Sequence, residues 1–65
     1  MKIGENLKKF RKESGLSQQQ VAEILKIDQS NVSRWESDIS RPDYENLVEL
    51  AKLYEVTVGD ILDVD

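Results

Sequence analysis

The fold of this 65-residue chain is decided by the stretch LSQQQVAEILKIDQSNVSRWE at residues 16–36. Ser17 and Gln20 have the spacing of a capping box, in which each side chain bonds the backbone N–H of the other and so starts a helix. Asp28 is a second residue of the type that begins helices. Because only a few residues separate the two patterns, the stretch predicts two short helices joined by a tight turn.

Helical patterns continue on both sides of this stretch. Ile3, Leu7 and Phe10 recur at helical spacing ahead of Gly15, a residue that readily ends helices. No segment shows the alternation of a strand. We therefore predict an all-α fold, a compact bundle of five helices at about residues 3–13, 17–25, 29–37, 43–55 and 57–62.

Helix 3 has one apolar and one polar side. Val32 and Trp35 lie three residues apart on the apolar side, so Trp35 is assigned to the core rather than to a stacking contact. The polar side has no acidic residue, and Gln, Arg and Ser can bond the edges of bases, although solvated helices carry the same residue types. The close pairing of two helices favours base recognition. The polar side contains Gln29, Ser30, Ser33, Arg34 and Ser37.

The composition excludes several classes of protein. The chain has no Cys and no His, which excludes disulfides, the usual zinc ligand sets and nucleophilic sites built on those residues. Apolar residues never run beyond two in succession, too few for a secretion signal or a membrane span. We therefore expect one cytoplasmic domain over residues 1–65, without enzymatic activity, cofactor, metal, membrane association or small-molecule ligand.

The net charge of −4 disfavours nucleic acid as a partner, because Lys and Arg supply most of the non-specific affinity for phosphate. The charge is unevenly distributed, however. Residues 1–42 carry eight Lys and Arg against six Asp and Glu, and residues 43–65 carry one against seven. The half that contains the helix pair is mildly basic, so we expect weak non-specific binding to DNA. An acidic segment that serves only to keep the protein soluble would produce the same charge asymmetry.

These motifs, in their order, resemble the phage-repressor and Cro-type helix-turn-helix family of transcription regulators, over nearly the whole chain. The resemblance implies a lambda-repressor-like domain whose helices 2 and 3 form the helix-turn-helix. It also implies sequence-specific binding to double-stranded DNA, with helix 3 in the major groove, more often by a repressor than an activator. The anchors are LKKFR at 7–11, GLSQ at 15–18, VA at 21–22, VSRWE at 32–36, and Pro42 ahead of Leu47, Leu50, Ala51 and Leu53.

The resemblance also implies roles for individual residues on DNA. Gln18 matches a residue that bonds a phosphate and braces the first residue of helix 3. Asn31 either bonds a phosphate or helps to cap helix 3, and Arg41 is either a phosphate contact or a plain surface residue. Base contacts are implied for Gln29, Ser30, Ser33 and Arg34, with phosphate binding as the competing role of the last two. Phosphate contacts are implied for Gln18, Asn31, Ser40, Arg41 and Arg11.

Two further expectations from the resemblance concern the fold. Arg11 and Glu36 match a pair that forms a partly buried ion pair between helix 1 and the end of helix 3. Lys26 and Asp38 stand where the family frequently has Gly. A left-handed conformation at Lys26 costs roughly 1 kcal/mol. Either that turn differs from the family, or it lowers the free energy of unfolding.

We expect a homodimer on a near-palindromic operator, because one short helix reads only a few base pairs. Ile61 and Val64 are the candidate interface residues, with packing inside the monomer as an equal alternative for Ile61. Two other functions stay open. A controller or antitoxin-type protein would also bind a protein partner, for which Ile24, apolar where the family is usually polar, is the only hint. A protein-interaction module that has kept the fold without DNA binding is favoured by the acidic C-terminal third.

Overall fold

The computed structural model describes residues 3–63. Within this range the chain forms five α-helices and no strand, so the all-α, five-helix prediction is confirmed, and each predicted boundary lies within one residue of the observed one. Val64, one of the two candidate interface residues, lies outside the described residues. The helices are α1 Ile3–Glu13, α2 Gln18–Leu25, α3 Gln29–Glu36, α4 Tyr44–Tyr54 and α5 Val58–Leu62.

The capping box of α2 forms as predicted. Ser17 Oγ accepts from the backbone N–H of Gln20 at 3.0 Å, and Gln20 Oε1 accepts from the backbone N–H of Ser17 at 2.8 Å. Asp28 is the N-cap residue of α3, but its side chain makes no capping hydrogen bond. The predicted position of Asp28 at the start of this helix is therefore confirmed, without the hydrogen bond that its carboxylate could make there.

Both departures from the family pattern adopt the left-handed conformation. Lys26 ends α2 with φ at 60°, and Asp38 follows α3 with φ at 61°. The backbone N–H of Lys26 bonds the carbonyl oxygens of Ala22 and Glu23 and so closes the last turn of α2. Of the two alternatives for this turn, the backbone keeps the tight left-handed geometry, and the steric cost falls on the Lys26 side chain.

The core lies where the apolar sides of the helices meet. α1 packs against α3 and α5, α2 packs against α3, and α4 packs against α5. Trp35 is buried, which confirms its assignment to the core. Ile61 is 0% exposed and packs inside the monomer, which is one of the two alternatives drawn from the sequence, so its side chain presents no surface to a partner here. The buried hydrophobic residues are Ile3, Leu7, Val21, Ala22, Val32, Trp35, Leu50, Ala51, Tyr54 and Ile61.

Candidate nucleic-acid interface

The polar face of α3, defined here as Gln29, Ser30, Ser33 and Arg34, is exposed along its whole length. The opposite side of the helix is held in the core by Val32 and Trp35. α2 packs directly against α3. The polar face of α3 carries amide, hydroxyl and guanidinium groups and no carboxylate. It can therefore bond base edges without repelling phosphates.

A buried ion pair holds the far end of α3. Arg11 Nε donates to Glu36 Oε2 at 2.7 Å, and Arg11 Nη2 donates to Glu36 Oε1 at 3.1 Å. Arg11 Nη1 donates to the carbonyl oxygen of Leu16 at 2.9 Å. The hydrogen bond to Glu36 raises the pKa of Arg11, while burial acts in the opposite direction. The predicted ion pair is confirmed, and it joins α1, the start of α2 and the end of α3.

The phosphate contact expected of Arg11 stays a prediction. Arg11 is only 9% exposed, and three of its five N–H groups are engaged by Glu36 and Leu16. Any contact with a phosphate is therefore left to the two remaining N–H groups. The residue serves the fold first.

Gln18 makes a different contact from the one the resemblance implied. Its Nε2 donates to Glu36 Oε1 at 3.1 Å. Among residues 3–63, no side-chain hydrogen bond joins Gln18 to Gln29. In this structure Gln18 therefore braces the end of α3 and not its first residue, because the Glu36 carboxylate is a stronger acceptor than an amide.

Tyr54 brings α4 into the same cluster. Its side chain is buried, and burial together with the Glu36 carboxylate raises the pKa of Tyr54 to about 12, while Arg11 acts to lower it. No sequence motif connected Tyr54 with the ion pair. The side chains that hydrogen-bond Glu36 are Arg11 on α1 and Gln18 at the start of α2.

The loop at residues 38–42 carries Ser40 and Arg41, and both are exposed. It folds back onto α3, because the backbone N–H groups of Ile39 and Ser40 both bond the carbonyl oxygen of Arg34, at 3.0 and 3.5 Å. The loop therefore continues the exposed surface of the polar face of α3. Of the predicted phosphate contacts, Ser40 and Arg41 lie on this loop, and Asn31 is half-buried on α3.

A contact that the sequence did not reveal joins this loop to α1. Asp38 Oδ1 accepts from the backbone N–H of Gly4 at 3.0 Å. A Cβ atom on Gly4 would lie 2.5 Å from the carbonyl oxygen of Glu36 and 2.7 Å from that of Trp35. A glycine in the first turn of a strongly periodic helix is the one signal in the sequence that indicates such a close approach.

Three large apolar side chains are exposed away from the core. Ile24 is 53% exposed, which agrees with the hint of a further contact, and Ile39 and Tyr44 are more exposed still. A shallow open groove lies near Tyr44, between the end of α2 and the start of α4, lined by Leu25, Tyr44, Glu45, Asn46, Val48 and Glu49.

Across residues 3–63, no group of three or more His, Cys, Asp or Glu residues could hold a metal ion. No helix in the same range has the length and apolar character needed to cross a membrane.

Comparison with known proteins decides the family. A family model described as helix-turn-helix matches residues 7–61, which include α2, the turn at Lys26 and α3. The chain belongs to the helix-turn-helix family. The resemblance drawn from the sequence motifs is thereby confirmed, and α3 occupies the place of the second helix of the motif.

Two similar proteins are named as transcription regulators. The HTH-type transcriptional regulator ImmR of Bacillus subtilis (strain 168) is 37% identical over 65 residues, covering 100% of this chain and 51% of the relative. The HTH-type transcriptional activator BcrR of Enterococcus faecalis is 34% identical over 62 residues, covering 95% of this chain and 30% of the relative. The chain therefore spans about half, or less, of the length of these relatives.

Proposed function

We propose that this chain is a DNA-binding domain of a transcription regulator and that it reads a double-stranded operator by placing α3 in the major groove. The observation that carries the proposal is the exposed, acid-free polar face of α3 on a helix whose other side is fixed in the core. With eight residues, α3 is about 12 Å long, which suits a helix that enters the groove at its N-terminal end.

The buried cluster around Glu36 supports recognition by making the surface rigid. Glu36 accepts hydrogen bonds from Arg11 on α1 and Gln18 on α2. These bonds hold the end of α3 at a set angle to the helix that crosses the DNA backbone. A surface that is ordered before binding loses less conformational entropy on the DNA, so more of the contact energy becomes affinity.

The residue roles follow from position. Gln29, Ser30, Ser33 and Arg34 are proposed to contact bases, because they form the polar face of α3. A bidentate contact from Arg to guanine or from Gln to adenine is worth roughly 1–3 kcal/mol of discrimination. The proposed phosphate contacts are Gln18, Asn31, Ser40, Arg41 and the two remaining N–H groups of Arg11.

We further propose that the domain acts as a homodimer on a near-palindromic operator in the cytoplasm. A single eight-residue helix covers too few base pairs for tight, selective binding, and two half-sites supply the missing contacts. Repression is the proposed outcome, because occupying an operator can exclude the polymerase without further contact. BcrR is named as an activator, so the direction of regulation needs a direct test.

The proposal is tested by selecting bound duplexes from a random DNA pool and measuring their affinity across a salt series. We expect a near-palindrome with half-site centres about 34 Å apart. We also expect weak binding to random duplex that falls steeply with salt. Failure to enrich any sequence, together with no salt-dependent binding to random duplex, would refute DNA binding and favour the protein-interaction module.

A second candidate keeps DNA binding and adds a protein partner, as in a controller or antitoxin-type regulator. The observation in its favour is Ile24, a large aliphatic side chain exposed on α2. Substituting Ile24 with Gln would then abolish binding of that partner and leave the affinity for the selected operator unchanged.

A further inference from the structure

The carboxylate of Asp38 caps a helix from a distant part of the chain. Asp38 Oδ1 accepts from the backbone N–H of Gly4, 34 residues earlier, at 3.0 Å. The first N–H groups of a helix have no partner within the helix, and its N-terminal end carries partial positive charge. Asp38 therefore supplies α1 with both a hydrogen-bond acceptor and a favourable charge.

Backbone hydrogen bonds also fix the main chain at Asp38 and at the residue that follows it. With φ at 61°, Asp38 has the left-handed conformation that reverses the chain after α3. Its backbone N–H bonds the carbonyl oxygen of Trp35 at 3.2 Å, and the next N–H, of Ile39, bonds that of Arg34 at 3.0 Å. The loop is thus tied to α3 on one side and to α1 on the other.

Gly4 makes this arrangement sterically possible. A Cβ atom at this position would meet the carbonyl oxygens of Glu36 and Trp35 at 2.5 and 2.7 Å, far closer than such atoms approach in proteins. Without that atom, the first turn of α1 lies directly against the end of α3. Gly4 and Asp38 therefore act together to join α1, α3 and the loop.

We propose that Asp38 is a positioning residue for DNA binding, which fixes the loop that presents Ser40 and Arg41 to the DNA backbone. The proposal rests on the proposed function. In this role Asp38 acts through the loop and not by contact with DNA, because its carboxylate bonds the N-terminus of α1. If the Asp38 carboxylate is removed, the loop becomes ordered only when DNA binds. The entropic cost of that ordering lowers the affinity for DNA.

The test compares three single variants on the selected operator and on random duplex. Asp38→Gly keeps the left-handed backbone and removes the carboxylate, while Asp38→Asn keeps an acceptor oxygen. Asp63→Gly is the matched control, because Asp63 has φ at 60° at the end of α5. Asp38→Gly should weaken both duplexes by a similar factor, on the order of 3- to 10-fold, and lower the salt slope by about 1. Asp38→Asn and Asp63→Gly should bind like the wild type.

A double-mutant cycle separates positioning from general stability. If Asp38 acts through Arg41, the double variant Asp38→Gly/Arg41→Ala should bind no more weakly than Arg41→Ala alone. Losses that add in full would overturn the proposal, since a general loss of stability adds to the loss of a contact. Binding of Asp38→Gly equal to that of the wild type would overturn it as well.

Measurements without DNA keep the two proposals distinguishable. In the free protein, well below the melting transition of the variant, Asp38→Gly should speed hydrogen exchange at the Gly4 amide and lower NMR order parameters at Ser40 and Arg41. Unchanged loop order would overturn the positioning role even if DNA binding holds. A wild-type protein that orders this loop and binds no duplex would instead refute the proposed function.

Discussion

Replacing Arg11 with Ala should destabilise the fold more than any exposed charge substitution in the chain. The side chain of Glu36 is only 3% exposed, and Arg11 makes two of the three side-chain hydrogen bonds that Glu36 accepts. Removing Arg11 leaves a buried carboxylate with Gln18 as its remaining side-chain donor, and it also removes the donor to the Leu16 carbonyl oxygen.

The magnitude follows from that geometry. Removing one partner of a fully buried ion pair costs about 3–5 kcal/mol. Here Gln18 continues to donate to Glu36, and Arg11 itself is 9% exposed, so we expect about 2–3 kcal/mol. For a domain of this size, each kcal/mol lowers the melting temperature by roughly 4–8 °C. The melting temperature of Arg11→Ala should therefore fall by about 10–20 °C.

Circular dichroism during heating and during urea titration measures this effect, with Lys12→Ala as the matched control. Lys12 is the neighbouring basic residue of α1 and is exposed, so its loss should change the free energy of unfolding by less than about 0.5 kcal/mol. Arg11→Ala/Glu36→Gln should be more stable than Arg11→Ala, because the unpaired buried charge is gone. If Arg11→Ala melted within a few degrees of Lys12→Ala, the assignment of this ion pair to stability would be refuted.

Four further predictions address the close approach at α1, a buried phenol, a strained turn and DNA specificity. Gly4→Ala should destabilise the fold by about 1–3 kcal/mol in urea titration, because its Cβ atom would overlap the end of α3. The raised pKa of Tyr54, about 12 against an ordinary value of 10, means that the folded state holds the phenol proton more tightly. Its contribution to stability, on the order of 2 kcal/mol, is complete below pH 10 and is lost as pH rises from 10 to 12. Tyr54→Phe should lose that part of the alkaline decline in a pH series. Lys26→Gly should stabilise the protein by about 1 kcal/mol by relieving the left-handed conformation, and an unchanged or lower melting temperature would contradict this. Arg34→Ala should lose roughly 1–3 kcal/mol on the selected operator and little on random duplex, whereas Arg41→Ala should weaken both about equally. An equal loss on both duplexes for Arg34→Ala would make it a phosphate contact.

The helix ends were predictable because the forces that set them act within a few residues. The capping box of α2 needs only Ser17 and Gln20, and both of its hydrogen bonds form. The polar face of α3 follows from helical spacing, which places Val32 and Trp35 on the opposite side. Asp28 shows the limit of such patterns, because its side chain makes no capping bond although its type and place suit one.

Contacts between side chains distant in sequence could not be predicted from local patterns alone. The Arg11–Glu36 pair, 25 residues apart, came from the family resemblance, since spacing alone cannot pair two such charges. Neither pattern nor resemblance indicated that Gln18 would bond Glu36 rather than brace Gln29. Ile61 shows the same difficulty, because an apolar residue on a short helix suits a core and an interface equally.

The sequence by itself therefore determined five helices, their ends and the exposed polar face of α3, because capping and helical periodicity are local. The tertiary structure alone decided the burial of Ile61 and the contact between Asp38 and Gly4. Periodicity predicts which side of a helix is apolar, but only the tertiary structure shows which helix covers that side. The joining of α1 to the loop after α3 is a consequence of that packing, because it brings together residues 34 positions apart.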